Sequence, residues 1–215
     1  MDEAVSYPSR DAVPAAHHPM RYSLAVRSAA AIGLSFLLED ASAARQTSPE
    51  PLAAVIVVRH GAKASTGADN PPLSAEGRAR AQALVPMLQG AGVTGVVTTQ
   101  QQRTRQTAAP VAAALHLTPV AVPTAPDARE HARAVGAAVR RLGGTVLVVD
   151  HQVAIPGIVA ELGGPSMRMM CDVEFSNVYV LIPSGATGMR LIQAHYGAAD
   201  PPHGPGCRIT PRSPP

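Results

Sequence analysis

The chain has 215 residues, enough for one domain of ordinary size with a substantial apolar core. Hydrophobic residues make up 46% and aromatics only 3%, with no Trp, so that core must be built from Ala, Val, Leu and Ile. Lys and Arg number 18 against 15 Asp and Glu, a net charge of +3 without a dense basic run, and aromatic platforms are scarce; this excludes the usual grip on single-stranded nucleic acid and suits a few Arg converging on a small anion.

Residues 1–19 are polar and broken by Pro, and read as disordered or as lying before the true start at Met20. From Met20 the pattern changes. Arg21 and Arg27 precede an apolar stretch over 28–38, and Ala41-Ser42-Ala43 offers small residues at a cleavage-like spacing. Residues 20–43 therefore have the layout of a secretory signal peptide, which would make the mature protein periplasmic or extracellular. Glu39-Asp40 before the cleavage point is unusual and keeps a cytoplasmic protein as the alternative. The apolar stretch is too short to span a bilayer comfortably, so no stable membrane span is expected. Residues 44–51 read as a linker, and 52–197 as the folded domain.

Val55-Ile56-Val57-Val58 is a run of β-branched residues and predicts a buried strand that ends abruptly in Arg59-His60-Gly61. A loop over 64–72 follows. Ser74 then caps a helix reaching about residue 90, with an expected bend at Pro86. Residues 93–99 predict a second strand, and 101–115 a second helix carrying Arg103 and Arg105. A short strand over 118–122, between Pro119 and Pro123, belongs near a sheet edge. Asp127 caps a third helix to Leu142, ended by Gly143-Gly144. Residues 145–149 form another continuous apolar strand, ending in Asp150-His151; a fourth helix covers 156–162. Residues 177–182 and 189–195 read as a hairpin, and 198–215 as a disordered Pro/Gly-rich tail. This alternation predicts an α/β fold, a three-layer α/β/α sandwich with a mainly parallel central sheet.

Two such strands each end in a His, and in a parallel sheet both ends open on the same edge, where ligands bind. Arg59 adjoins the first His, and Arg103 starts the helix after the second strand. Two Arg and two His converging on one anion suit phosphoryl transfer. Guanidinium forks pair with phosphate oxygens, and a neutral imidazole can attack phosphorus. Cys171 and Cys207 have no metal-ligand spacing, and no ligand cluster for a metal is visible. A disulfide between them requires an oxidising compartment, and the place of Cys207 in the Pro/Gly-rich tail speaks against pairing.

These segments resemble the histidine phosphatase superfamily, which includes the phosphoglycerate mutases and acid phosphatases. Arg59-His60-Gly61 matches its Arg-His-Gly signature. Pro72-Leu73-Ser74-Ala75-Glu76-Gly77, followed by Ala81-Gln82-Ala83, is similar to its Pro-Leu-Ser/Thr segment. Thr99 with Arg103-Thr104-Arg105-Gln106-Thr107-Ala108 is similar to its Ser-x-x-x-Arg-x-x-Gln-Thr-Ala segment, and Val148-Val149-Asp150-His151 stands in place of its second His motif. The resemblance covers about 53–197. It implies a phosphoglycerate mutase-like fold and a phosphatase that needs no metal or other cofactor. His60 would be the nucleophile, with Arg59, Arg103 and His151 binding the phosphoryl group of a small phosphorylated substrate or a phosphoprotein.

The departures from the family pattern are specific. Ala62 stands where small members often carry Glu. Asp150 replaces the usual Gly and could raise the pKa of His151, repel substrate, or point away towards a helix N-terminus. The acid that protonates the leaving group is left open among Glu130, Asp127, Glu174 or none. Ala62 and Asp150 keep a catalytically silent phosphate-binding module as an alternative. A phosphoglycerate-type mutase is a further one, against which the short chain counts.

Overall fold

The computed structural model describes residues 50–65, 69–186 and 188–202. The expected signal peptide, the segment before it and most of the linker and tail lie outside the described residues.

Six strands form one mixed sheet in the order β3-β2-β4-β1-β5-β6. Strand β1 (Leu52–Arg59) lies between β4 (Gly144–Asp150), to which it is parallel, and β5 (Asn177–Ser184), to which it is antiparallel. Strand β2 (Val93–Thr98) runs parallel to β4 on the far side, and β3 (Val120–Ala121) adds a short parallel edge. Strand β6 (Gly188–His195) closes the other edge as the second half of a hairpin with β5. The Pro residues flanking β3 account for its length, since Pro cannot donate to a sheet ladder.

Alternation along β1 sorts its side chains into two cores. Val55 and Val57 join Val97, Val146 and Val148 beneath α3 (Ala128–Leu142) and α4 (Ile155–Glu161), whose Val135, Val139, Ile155 and Ile158 complete that layer. Ile56 and Val58 join Val96, Leu147 and Val149 on the opposite face, covered by α1 (Ala75–Leu88) and α2 (Gln102–Ala114) through Leu84, Leu88, Ala108 and Val111. A parallel strand covered on both faces must be apolar throughout, which is why these strands read as unbroken runs. The result is the expected three-layer α/β/α sandwich.

Local choices follow the expected chemistry. Ser74 Oγ accepts from the Gly77 amide and caps α1. Asp127 caps α3 by accepting from Arg129 and Glu130 amides. Pro86 lies inside α1 near its C-terminal end and withholds the amide that would donate to the Gln82 carbonyl one turn earlier. Gly143 and Gly144 both take positive φ, 65° and 62°, which an L side chain resists.

Three expectations are corrected. Pro51, assigned to the linker, is tied down, because its carbonyl accepts from the Gly144 amide at 3.2 Å. The tail was expected to lose order from residue 198, yet Asp200 is anchored. Its carboxylate accepts from the Phe175 and Ser176 amides and from Ser176 Oγ, and it pairs with Arg80 at 3.5 Å. Cys171 is disulfide-bonded, against the expectation that the cysteines stay apart; Cys207 lies outside the described residues.

Candidate active site

Strands β1 and β4 end side by side, with Arg59 opposite Asp150 in register. The ladder continues one residue further: the His60 amide donates to the Asp150 carbonyl at 3.0 Å. His60 and His151 thus emerge together, their rings edge to face with centroids 5.2 Å apart. They line an open cavity of about 640 Å³ with Arg59, Arg103, Lys63 and Phe175. All four residues expected at the site are brought together.

The motif residues hold one another. Thr107 Oγ1 accepts from the Gly61 amide at 2.9 Å and donates to the Arg103 carbonyl at 2.7 Å, so one hydroxyl joins the end of β1 to the turn that carries Arg103. Gln106 accepts from the Leu73 amide at 2.8 Å. Gly61 and Gly77 cross so closely that a Cβ on Gly77 would stand 2.1 Å from the Ala62 carbonyl oxygen, and one on Gly61 2.7 Å from that of Gly77. These contacts explain the Gly of Arg-His-Gly and the Gly that follows Pro-Leu-Ser: backbone occupies the space.

His60 is buried, and its Nδ1 lies 2.8 Å from the Gly61 carbonyl. A carbonyl only accepts, so Nδ1 carries the proton and Nε2 keeps its lone pair. Burial, reinforced by the positive surroundings of His151, Arg59 and Arg103, lowers the His60 pKa to about 3, although its bond to Gly61 acts in the opposite sense. Burial also lowers His151 to about 4, against the pull of Asp150. Both rings are neutral near pH 7. Burial lowers Arg59 to about 10, which leaves it charged there, and lowers Arg103 as well.

Arg59 is fixed in place. Its Nη1 donates to the carbonyls of Cys171, Asp172 and Glu174 at 2.9–3.0 Å, its guanidinium stacks 3.9 Å from the centre of the Phe175 ring, and its Nε is buried without a hydrogen-bond partner. Arg103 is more exposed and contacts Gln101 at 3.4 Å. His151 Nε2 lies 3.3 Å from Thr99 Oγ1.

Asp150 turns away from the pocket. One carboxylate oxygen accepts from the His151 amide at 2.7 Å and the other faces His131 Nε2 at 3.0 Å, and Asp150 does not line the cavity. Of the three acids left open by the sequence, none lines the cavity. Asp127 is spent as the α3 cap and Glu130 stands in the first turn of that helix, exposed. Glu174 is buried against Arg168 and the Cys171 amide. Asp172 is the carboxylate in the lining, and it accepts from Gln152. Sequence reasoning missed Asp172 and Phe175, which lie in a stretch without periodicity or motif; their only signal was that Phe175 is one of two Phe in the chain. Among the described residues no three His, Cys, Asp or Glu side chains cluster as a metal site, and no helix is long and apolar enough to cross a membrane.

A family model, the histidine phosphatase superfamily (branch 1), matches residues 55–132. No curated protein matches the chain. Among solved structures, the protein histidine phosphatase SixA complexed with tungstate is 22% identical, with a TM-score of 0.55, over 66% of this chain and 96% of the other. A protein from Nakamurella multipartitia, named for the phosphohistidine phosphatase SixA, is 26% identical, with a TM-score of 0.51, over 70% and 99%. Its namesake from Agrobacterium tumefaciens is 17% identical at the same TM-score, over 69% and 99%. Residues 55–132 are thus similar to the histidine phosphatase superfamily, and the chain shares the fold of these solved structures.

Proposed function

We propose that this protein is a phosphatase that hydrolyses phosphate monoesters or phosphohistidine through a phosphohistidine intermediate on His60. The observation that carries this reading is the bond from His60 Nδ1 to the Gly61 carbonyl, which leaves a neutral, uncovered Nε2 inside a pocket lined by Arg59, Arg103 and His151. Nε2 donates its lone pair to phosphorus as the bond from phosphorus to the leaving group breaks, and that bonding pair departs with the leaving group. Water then attacks the phosphoimidazole, the P–N bond breaks, and its electrons return to Nε2. Arg59 and Arg103 balance the charge on the phosphoryl oxygens, and His151 faces the group in transit. A phosphoryl oxygen would also give the buried Arg59 Nε its acceptor.

The silent-module alternative drew on Asp150 and Ala62. Asp150 is bonded away from the pocket, so it does not oppose an anionic substrate there. A small or protein-borne phosphoryl group suits the open cavity. Export of the mature chain is part of the proposal and rests on residues 20–43 alone; mass spectrometry of natively expressed protein should find an N-terminus near Ala44, and a cytosolic product retaining 20–43 would reject it.

The test of the mechanism is rapid quenching at alkaline pH during turnover of a labelled phosphate ester, followed by peptide mapping. Acid-labile phosphate is expected on His60, and His60→Ala should lose label and activity together. Label on His151, or full activity in the His60 variant, would overturn the mechanism and leave a phosphate-binding fold.

A further inference from the structure

His131, on α3, is a buried histidine that no motif accounts for. It is 3% exposed. Its Nδ1 lies 3.1 Å from the Pro123 carbonyl and its Nε2 3.0 Å from an Asp150 carboxylate oxygen. Both partners are acceptors, and the other Asp150 oxygen already accepts from the His151 amide. Satisfying all of these contacts requires a proton on each ring nitrogen. We propose that His131 is a doubly protonated positioning residue that clamps two walls of the phosphoryl pocket, residues 123–124 and residues 150–151, and that loss of its proton sets the alkaline limit of turnover.

The two contacts reach the pocket directly. Thr124 follows Pro123, and His151 follows Asp150, and both line the cavity. Asp150 departs from the family pattern, and His131 is the partner that makes a buried carboxylate tolerable there, since an unpaired buried charge is strongly destabilising. The charged or titratable groups facing His131 are Asp150 from β4 and His151 after it. Helix α3 packs against α4 and β2, whose Ile155, Ile158 and Val97 share one buried apolar cluster with Ala132, the residue next to His131. The neighbours on α3, Arg129, Glu130 and Arg133, are exposed. The hydrogen bond to Asp150 raises the His131 pKa above the usual histidine value, opposed by burial and aided by the charge of Asp150 and the Pro123 carbonyl. Deprotonation leaves one acceptor without a donor and releases one wall.

The positioning of His151 rests on the phosphatase reading; the protonation of His131 does not. Two measurements on the full chain therefore separate them. Nitrogen-15 shifts of the wild-type His131 ring should report both nitrogens protonated at pH 7. A ring with one bare nitrogen overturns the clamp whatever the activity. Second, kcat and KM for p-nitrophenyl phosphate are followed from pH 5 to 10 in wild type, His131→Asn and His131→Ala. The Asn amide still donates to one acceptor but does not titrate. It should lower kcat by roughly tenfold to a hundredfold, the scale of a misplaced catalytic group, leave KM within about twofold, and erase the alkaline fall expected of wild type; Ala should lose more. An Asn variant with wild-type kcat and the same alkaline fall overturns the proposal. A wild type inert towards phosphate esters, yet doubly protonated at His131, would reject the phosphatase reading and leave the clamp, whose alkaline release is then read from inorganic phosphate affinity in wild type against His131→Asn.

Discussion

The His60 amide donates to the Asp150 carbonyl over 3.0 Å, extending the β1–β4 ladder one residue past the register of Arg59 with Asp150. That bond makes the two histidine motifs one object. A side chain carried on a covered parallel ladder moves little, and misplacement of a reacting group by about 1 Å can cost 10²-fold in rate. The ladder places His60 and the facing His151 at one sheet edge, and a single hydroxyl, that of Thr107, adds Arg103.

Arg103→Ala should slow turnover by about 10²–10³, the loss associated with removing one preorganised donor worth ~2.7–4 kcal/mol, with little change in unfolding. Thr107→Val is the companion. It keeps the charge but leaves the buried Gly61 amide without its acceptor, at a cost of about 1–3 kcal/mol in stability. Steady-state kinetics and urea unfolding of both variants check the division. An active Arg103→Ala enzyme would remove this arginine from the reaction.

Gly77→Ala probes the crossing beneath His60. Its Cβ would meet the Ala62 carbonyl oxygen at 2.1 Å, and the obstacle is backbone. A destabilisation of at least ~1–3 kcal/mol is expected, as for overpacked sites, together with loss of activity as the loop after His60 is displaced. Unchanged urea midpoints would mean that the two loops part more easily than their contacts imply.

Asp200→Ala tests a link from the C-terminal segment to the pocket. Its carboxylate holds the Phe175 amide at 2.9 Å, and the Phe175 ring lies against Arg59. Losing that acceptor should cost about 1–3 kcal/mol and weaken binding of inorganic phosphate, because Arg59 loses a fixed neighbour. Calorimetric titration with phosphate measures the second effect; equal affinity in the variant would confine Asp200 to a structural role.

Acid should destabilise the fold partly through the His60 and His151 rings. His60 and His151 are lowered to about 3 and about 4 by burial, whereas unfolded histidine titrates near ~6.5. Between those values the unfolded chain binds protons that the folded chain refuses, so stability falls as pH drops from about 6.5. His131 has the opposite sign: its raised pKa supplies stability that is complete below the unfolded value and is lost as pH rises through the folded one. Urea midpoints across pH should decline on the acid side, and His60→Asn should decline less steeply. Equal slopes in the two proteins would show that the His60 ring is not held neutral.

Most of the architecture was legible because it rests on short-range rules. The β-branched runs, the Ser74 and Asp127 caps, the Gly143-Gly144 break and the Pro-flanked edge strand each follow from residues close in the chain. So did the convergence of Arg59, His60, Arg103 and His151, since parallel strands share one edge. The sequence by itself thus determined the elements, the sandwich and the chemistry offered at its edge. Tertiary structure decided the partners of groups far apart in sequence: that Asp150 meets His131 and leaves the pocket, that Glu174 is taken by Arg168, that Asp172 and Phe175 line the cavity, and that Asp200 anchors residues 175–176. Those choices depend on which surfaces two packed layers bring within about 3 Å, and no local periodicity encodes that distance.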